Sequence, residues 1–351
     1  MAETATPVGI LGASGYTGGE LVRLLARHPR VIIDHVTSER YAGQPLTAAY
    51  PHLRAAGTLV CRPMAAAAAA AGRCPVVFCA LPHLTSMKVI PDLLAAGCRV
   101  IDLSADYRLR EAQNFATWYG KPHSSPDLLQ EAVYGLPERH RGRIAAARLV
   151  ANPGCYPTSV LLGIGPLLEA GLADPDLIVI DAKSGASGAG RAAQQGMLLS
   201  ELHEGFKAYK VTGHRHIAEM EQELAGYAGR PVTIRFTPHL VPQVRGILST
   251  CYLRPRQEVD LARWQGVLEE RYAGEPFVTV LPPESLPATN EVRGSNGCVL
   301  ALHQDVRTGW MVVLAVIDNL VKGAAGQAVQ NLNLMMGWPE TAGLDQLPLF
   351  P

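Results

Sequence analysis

Residues 8–25 read VGILGASGYTGGELVRLL, and this stretch decides the fold of the first part of the chain. The apolar run Val8–Leu11 suits a short buried strand, and it breaks into the turn GASGYTG at Gly12–Gly18. Apolar residues then recur at helical spacing until the pattern stops at His28 and Pro29. A strand that turns through glycines into a helix predicts the beginning of a βαβ unit.

The residues that follow continue the same alternation. Val31–Val36 suits a second strand that leads into TSER. Pro75–His83 and Cys98–Asp106 each hold a continuous apolar run that ends in polar residues, as buried parallel strands do. Strands alternating with helical segments predict a doubly wound sheet. The fold class is therefore α/β, with a Rossmann-type domain at the start of the chain.

Composition and charge exclude several classes of protein. The chain has 351 residues, 31 basic and 31 acidic side chains, so no charge excess points to nucleic acid or to a membrane surface, and we expect a small-molecule partner. No apolar run reaches the roughly 18 residues that span a bilayer, and the first residues lack the pattern of a secretion signal. Seven cysteines without a CxxC pair argue against a disulfide framework or a zinc site, and for a reducing cytoplasm.

The glycine turn also predicts nucleotide binding. Gly12, Gly15 and Gly18 have a GxxGxxG spacing rather than the usual GxGxxG, but both let backbone N–H groups approach a pyrophosphate closely. Ser14 and Thr17 add hydroxyl donors. The alternative is a purely structural turn, since many strand-to-helix turns contain glycine.

The residues after the second strand indicate which dinucleotide is bound. The tip reads Thr37, Ser38, Glu39, Arg40. Ser38 and Arg40 suit the 2′-phosphate of NADP, whereas Glu39 is ambiguous because NAD-binding folds place an acidic residue here for the ribose hydroxyls. An ordinary solvated loop is the alternative. We favour NADP(H).

One cysteine stands apart in the stretch ANPGCYPTS, residues 151–159. Pro157 suits the first turn of a helix, apolar residues continue that helix over Thr158–Leu168, and Pro166 is expected to kink or shorten it. Cys155 then lies at a helix N-terminus, where the dipole and free N–H groups favour a thiolate and could hold an oxyanion. The alternative is a buried cysteine beside a turn.

Two histidines supply a candidate proton donor and acceptor. His214 and His216 lie in VTGHRHIAEMEQEL, at or near the start of a helix, with Glu219 or Glu223 on the same side. A structural histidine remains the alternative for each. No third ligand has a convincing spacing for a metal, so none is predicted.

Two further loops carry groups that suit an anion. Residues 181–191, DAKSGASGAGR, follow an apolar strand and resemble an anion cradle, with a flexible loop as the alternative. Arg108 lies in LSADYRL, just beyond a strand end where open α/β sheets bind ligands, and suits a carboxylate or phosphate.

Together these motifs carry a resemblance to a known family. In order along residues 8–340, the chain is similar to the N-acetyl-γ-glutamyl-phosphate reductases of the aspartate-semialdehyde dehydrogenase group. The motifs are GASGYTG, TSERYAG, ALPH, DLSADYRL, NPGCYPT, SGASGAGR, GHRHIAE and IDNLVKGAAGQAVQNLNLMMG. The cysteine motif and the last motif are specific, whereas the glycine turn is not.

The resemblance implies a reaction and a set of site residues. The family reduces N-acetyl-γ-glutamyl phosphate to the semialdehyde with NADPH, through a cysteine thioester, and releases phosphate. It implies Cys155 as nucleophile and a histidine of the GHRH stretch as acid/base. We assign that role to His216 and the positioning of substrate to His214, and the sequence leaves the reverse assignment open. The candidates for substrate binding are Arg108, Ser184, Gly185, Ser187, Arg191 and Glu219. Those for cofactor binding are Gly12, Ser14, Gly15, Tyr16, Thr17, Gly18, Ser38, Arg40, Pro82 and Asn319.

The resemblance also implies two domains. Residues 1–150 and 319–351 are expected to form the NADP-binding domain, and 151–318 an inserted α/β catalytic domain with most subunit contacts of a homodimer or homotetramer.

Four other functions stay open at this stage. A lysine-biosynthesis relative reduces a carrier-linked aminoadipyl phosphate, but Tyr156 and Pro157 favour the arginine enzyme. Aspartate-semialdehyde dehydrogenase would act on β-aspartyl phosphate. A cysteine hydrolase would send water to the same thioester, and an NADP sensor would need no thiol at all.

Overall fold

The computed structural model describes residues 5–351, which separate into two α/β units. The first unit holds the described residues up to Pro153 together with Ala324–Gln346, and the second holds Gly154–Gly323 with Leu347–Pro351. The strands are β1 (Thr6–Leu11), β2 (Val31–Thr37), β3 (Val76–Cys79), β4 (Arg99–Asp102), β5 (Val133–Tyr134), β6 (Leu149–Ala151), β7 (Ala173–Gly185), β8 (Lys207–Ala208), β9 (Ile234–Val241), β10 (Ile247–Pro255), β11 (Val278–Val280), β12 (Cys298–Asp305) and β13 (Trp310–Ile317). The α-helices are α1 (Tyr16–Leu25), α2 (Ala67–Ala71), α3 (Ser86–Ala95), α4 (Ala112–Tyr119), α5 (Pro137–Ala146), α6 (Cys155–Glu169), α7 (Leu199–Leu202), α8 (His216–Ala228), α9 (Leu261–Tyr272) and α10 (Gly326–Met335).

The first unit contains the doubly wound parallel sheet that the sequence predicts. Its strand order is β2-β1-β3-β4-β6-β5, and every pair is parallel. Since β2 and β3 flank β1 on opposite sides, the chain leaves the carboxyl end of β1 at the point where the winding direction reverses. Open α/β sheets bind ligands at this point.

The chain returns to the first unit near its end. The returning segment is Ala324–Gln346, and its helix α10 packs against α1 and α5. Residues 319–323, which the sequence analysis placed with this segment, belong to the second unit, as do residues 347–351.

The second unit is built on a mixed seven-stranded sheet in the order β11-β12-β13-β10-β7-β9-β8. Helix α6 packs on β10, β13 and β7, and α8 packs on β9. The hydroxyls of Ser159 on α6 and Ser249 on β10 lie 2.7 Å apart, which identifies the face of β10 that this helix covers.

Helix α6 continues past Pro166 to Glu169, so the proline does not end it. A proline has no N–H, and it therefore leaves the carbonyl four residues earlier without its helical donor. That carbonyl belongs to Leu162, and it accepts a hydrogen bond from the hydroxyl of Tyr272 on α9. A donor on α9 thus replaces the hydrogen bond that α6 loses at the proline, and α6 stays helical to Glu169.

Among residues 5–351, no helix has both the length and the apolar character needed to cross a membrane. Over the same residues, no group of histidine, cysteine and acidic side chains is arranged to hold a metal ion.

Candidate functional site

The glycine turn of the first unit is shaped by close backbone approach. Gly12 has a φ of 88°, in the region that favours glycine, and a Cβ there would meet the carbonyl oxygen of Ala80. A Cβ on Gly18 would lie 2.7 Å from the Cα of Ala13. Gly15 immediately precedes α1, whose first-turn N–H groups have no helical acceptor. A side chain at Gly12 or Gly18 would collide with neighbouring backbone, so this tight turn requires glycine at both positions, and the first-turn N–H groups of α1 are the part of it that suits a pyrophosphate.

The structure brings the two predicted nucleotide loops together. The hydroxyls of Ser14, in the glycine turn, and Ser38, after β2, lie 2.7 Å apart. Arg40 is exposed, with its guanidinium carbon 5.7 Å from the ring centroid of Tyr41. The carboxylate of Glu39 accepts a hydrogen bond from the backbone N–H of Met64, so this acid is already engaged. The exposed side chain of Arg40 is a cation at this tip that can turn toward a ligand.

The remaining first-unit candidates lie at different depths. Tyr16 and Pro82 are exposed beside the carboxyl ends of β1 and β3, and Thr17 is half-buried. Arg108 is 6% exposed, and its guanidinium donates to the carbonyl oxygens of Asn152 at 2.8 Å and Leu103 at 3.0 Å. The arginine predicted to bind substrate therefore also holds the turn that precedes Cys155.

The second unit sets Cys155 apart from the other thiols. Six of the seven cysteines are buried, whereas Cys155 is partly exposed. It is the first residue of α6, preceded by Gly154 in an extended conformation that serves as N-cap. Burial raises the pKa of the Cys251 thiol to about 12, so that thiol stays protonated and unreactive at neutral pH.

A carboxylate joins the start of this helix to the start of α8. Glu219 is 1% exposed in the first turn of α8, and its Oε1 accepts the backbone N–H of Gly154 at 2.7 Å. His216 is the first residue of α8, so Glu219 ties together the helix ends that carry Cys155 and His216. Glu219, which sequence analysis assigned to substrate binding, thus contacts the chain itself.

The two histidines have different environments. The ring centroids of His214 and His216 lie 4.7 Å apart, and His214 Nδ1 accepts the backbone N–H of His216 at 3.1 Å. Because Nδ1 is the acceptor, neutral His214 carries its proton on Nε2. Burial, and then the charges of Lys210 and Arg215, lower the pKa of His214 to about 4. His214 is therefore a neutral hydrogen-bond donor at neutral pH.

The serine-glycine loop after β7 is clamped to the loop before β10. The backbone N–H groups of Gly185, Ala186 and Ser187 donate to the carbonyls of residues 246, 243 and 244. The side chain of Ser184 is buried, and its hydroxyl donates to the carbonyl of Gly185. Arg191, beyond this loop, is half-buried. The predicted cradle is thus an ordered loop held by backbone bonds.

Asn319 lies in this same network. Its Nδ2 donates to the Ser187 hydroxyl at 2.9 Å, and its Oδ1 accepts the N–H of Gly246 at 2.8 Å. Asn319 was predicted from the family resemblance to bind cofactor, yet both ends of its buried amide hold loops of the second unit.

Gly323 packs directly against Cys155. A Cβ at this position would lie 2.9 Å from the Cβ of Cys155 and 3.2 Å from the Cδ1 of Ile317. The sequence marks Gly323 only as a small residue suited to close packing, and it does not indicate that the packed surface is Cys155.

Substituting Gly323 by alanine is expected to displace Cys155 and to lower kcat by about 10- to 100-fold with the fold retained, because shifts of about 1 Å at a reacting group cost that much. Steady-state rates and the circular dichroism spectrum measure the two effects. Gly266→Ala is the matched control, since Gly266 lies in α9 with no neighbour that a Cβ would meet. Equal rates in the two variants would contradict the role given to Gly323.

Two domain families match the two halves of the chain. Residues 7–147 match the family model described as the NAD binding domain of semialdehyde dehydrogenase, and residues 155–319 match the semialdehyde dehydrogenase dimerisation domain. The chain is similar in structure to aspartate semialdehyde dehydrogenase II from Vibrio cholerae, with a TM-score of 0.71 and 17% identity over 95% of this chain and 99% of that one. A Candida albicans aspartate semialdehyde dehydrogenase, solved with NADP, has a TM-score of 0.69 and 16% identity over the same shares.

Sequence similarity is much higher to another set of proteins. The N-acetyl-gamma-glutamyl-phosphate reductase of Magnetococcus marinus is 59% identical over 344 residues, 98% of each chain. The protein of the same name from Citrifermentans bemidjiense is 54% identical over 345 residues, 98% of this chain and 99% of its own.

Proposed function

The chain belongs to the N-acetyl-γ-glutamyl-phosphate reductase family of the semialdehyde dehydrogenase group, and from that membership we propose a thioester mechanism on Cys155 with NADPH as reductant. The reaction is that of the family: reduction of N-acetyl-γ-glutamyl phosphate to N-acetylglutamate 5-semialdehyde with release of phosphate, a step of arginine biosynthesis. One observation supports the mechanism most: the partly exposed thiol and an imidazole begin two helices whose ends are joined by Glu219.

The thiolate of Cys155 attacks the acyl carbon, the bond to the phosphate oxygen breaks, and a thioester forms as phosphate departs. Splitting the reaction in this way replaces one difficult step by two easier ones. The first-turn N–H groups of α6 and the positive end of its dipole stabilise negative charge on the thiolate and on the carbonyl oxygen. When bound, the reduced nicotinamide would supply the hydride that reduces the thioester carbonyl. The bond between that carbon and the sulfur of Cys155 then breaks, so the aldehyde leaves and the thiolate is restored.

The two histidines have different roles, proton transfer for His216 and orientation of substrate for His214. His216 takes the proton of the thiol before attack and gives a proton to the oxygen that becomes negative. His214, neutral with its proton on Nε2, donates a hydrogen bond that orients substrate. Arg108 and the loop Ser184–Arg191 are the candidates for the carboxylate and phosphate of the substrate.

The reverse reaction tests this function. The purified protein receives N-acetylglutamate semialdehyde, phosphate and NADP, and absorbance at the reduced nicotinamide band reports turnover. β-Aspartyl substrates and carrier-linked aminoadipyl substrates, run beside it, measure the related activities. Phosphate release from the acyl phosphate without oxidation of NADPH would favour a hydrolase instead.

For the cofactor, Arg40 and Ser38 suit the 2′-phosphate of NADP, and one carboxylate oxygen of Glu39 accepts the backbone N–H of Met64. Substituting Arg40 by alanine is expected to raise KM for NADPH by about 10- to 100-fold, the equivalent of one hydrogen bond to a charged group. KM for NADH is expected to stay within about twofold, since that cofactor lacks the phosphate.

The matched control is Arg54→Ala, which removes an exposed arginine of the same unit. If Arg40→Ala raises KM for NADPH and for NADH equally, the arginine does not bind the 2′-phosphate, and the prediction that the protein prefers NADP is wrong.

The second unit also suggests how subunits associate. Since α6 covers one face of the sheet, alternate residues on β7, β10 and β13 point to the other face. Val179 is 37% exposed there, and Leu248 and Leu314 are half-buried. This face is the proposed contact of a homodimer or homotetramer, in keeping with the dimerisation domain that residues 155–319 match. Seven free thiols fit the cytoplasm as the compartment.

A further inference from the structure

We propose that Tyr156 is a positioning residue for both histidines, holding their rings in the orientation that the thioester chemistry requires. The expected effects on kcat rest on the proposed function, whereas the expected effect on the histidine rings does not depend on it. Tyr156 directly follows the nucleophile in the first turn of α6 and is 2% exposed.

The ring of Tyr156 contacts three other rings edge-on. Its centroid lies 5.7 Å from that of His214 at an interplanar angle of 90°, and 5.9 Å from that of His216 at 71°. Phe236 of β9 contacts it at 5.2 Å and 72°, and also contacts His214 at 5.4 Å and 80°. Edge-to-face packing at these distances is attractive and depends on orientation. One side chain therefore backs both imidazoles.

A hydroxyl pair fixes the rotation of this ring. The oxygens of Tyr156 and Tyr209 lie 3.1 Å apart, and the Tyr209 ring is also edge-on to His214, at 5.6 Å and 71°. Burial raises the pKa of Tyr209 to about 12 and raises that of Tyr156 as well. Both phenols thus stay neutral at working pH, and the pair is an uncharged hydrogen bond.

Tyr156 is covalently next to Cys155. A movement of the first turn of α6 therefore moves the sulfur and the surface that backs the imidazoles together. Glu219 performs the same task for the backbone, by holding the N–H of Gly154 from the first turn of α8. Two sets of contacts therefore hold Cys155 and the imidazoles in register: the backbone bond to Glu219, and the ring contacts of Tyr156.

The rings also cover part of His214, which is half-buried. Its pKa is lowered first by burial and then by the cations Lys210 and Arg215. Removing the Tyr156 ring opens this side to solvent, so His214 is expected to titrate closer to its ordinary pKa of 6.5. A neutral donor then becomes a partly protonated one in the working pH range.

The first test needs no substrate. Histidine ring signals are followed by NMR from pH 4 to pH 8 in wild type and in Tyr156→Leu, with assignment through His214→Asn and His216→Asn. In Tyr156→Leu we expect the His214 signal to titrate one or more pH units higher than in wild type. Unchanged titration of both histidines in a folded variant would overturn the proposal, whether or not the reductase function holds.

The second test is a double-substitution cycle on the hydroxyl pair. Tyr156→Phe and Tyr209→Phe are each expected to lower kcat of the reverse reaction about fivefold, the equivalent of one neutral hydrogen bond. Tyr156 also has a side-chain hydrogen bond to Ser184, so the double variant is expected to be no slower than Tyr156→Phe alone, since the bond between the two hydroxyls is already lost there. Multiplying losses would overturn the hydroxyl pair.

Tyr156→Leu is expected to lower kcat about 100-fold and to move the pH profile, because both imidazoles lose their backing. Tyr119→Phe, on α4 of the first unit, is the matched control and is expected to behave as wild type. Should Tyr156→Leu fail to fold, the Tyr156→Phe and Tyr209→Phe variants still test the positioning role. A loss confined to KM, with kcat and the pH profile unchanged, would overturn the positioning role.

Discussion

Replacing Cys155 by alanine is expected to abolish the reverse reaction, lowering kcat by at least about 10⁴-fold, as loss of a covalent nucleophile does in comparable enzymes. Alanine removes only the sulfur, so the helix start and the cofactor turn are retained. Without the thiol the semialdehyde cannot form a thiohemiacetal, so no hydride passes to NADP and no thioester forms for phosphate to cleave. Absorbance at the reduced nicotinamide band, followed with saturating semialdehyde, phosphate and NADP, measures the loss.

The control for this variant is Cys251→Ala, in β10 of the same unit, where the thiol is fully buried and has a pKa of about 12. It is expected to retain wild-type kcat. Iodoacetamide at pH 8 provides a second readout, since the native protein is expected to take up one equivalent, and Cys155→Ala none. Substantial turnover by Cys155→Ala would exclude the thioester route, while rapid labelling of several cysteines would show that Cys155 is not the distinctive thiol.

Much of the first unit is predictable from local sequence. The apolar run Val8–Leu11, the glycine turn and the helical spacing that follows all predict a strand, a tight turn and a helix. The structure has β1, this turn and α1 at these positions, with β1 inside the parallel sheet. Such agreement arises because a buried parallel strand and a tight glycine turn are specified by residues close in the chain.

The helix of the nucleophile shows where local reasoning is insufficient. Pro166 by itself indicates a kinked or shortened helix, and yet α6 continues because Tyr272, more than one hundred residues later, supplies a hydrogen bond to Leu162. The replacement donor comes from α9, and no spacing within the motif indicates it. A helix with an internal proline depends on tertiary contacts that override the low helix propensity of proline.

The site divides in the same way. The thiol and the imidazoles are recognisable because their residue types and helix positions carry the chemistry. Glu219 and Asn319, predicted to bind substrate and cofactor, also hold backbone or side-chain groups of the second unit, and their ligand roles stay predictions. A sequence shows which groups are able to bind a ligand, whereas the fold determines which of them are occupied internally. Tyr156 is the converse case, since it has no chemical signature and gains importance only from the rings around it.

Replacing His216 by asparagine is expected to lower kcat by about 10²- to 10⁴-fold, the usual contribution of a positioned acid/base group. Asparagine keeps hydrogen bonding but cannot carry a proton, so the limb of the pH profile that belongs to this group is expected to disappear. His214→Asn is expected to act differently. With a pKa of about 4, His214 stays neutral above pH 5, and its loss removes a donor to substrate, raising KM more than it lowers kcat.

The comparison separates the two imidazoles because both variants leave Cys155 and the cofactor turn intact. His52→Asn, at an exposed histidine of the first unit, is the matched control and is expected to retain the wild-type profile. The decisive measurement is the pH dependence of kcat from pH 5 to pH 9 in the three variants. If His214→Asn removes the limb and His216→Asn retains it, the roles are exchanged. The neutral, Nδ1-accepting state of His214 would then have to change on substrate binding, since a group already neutral throughout this range cannot produce that limb.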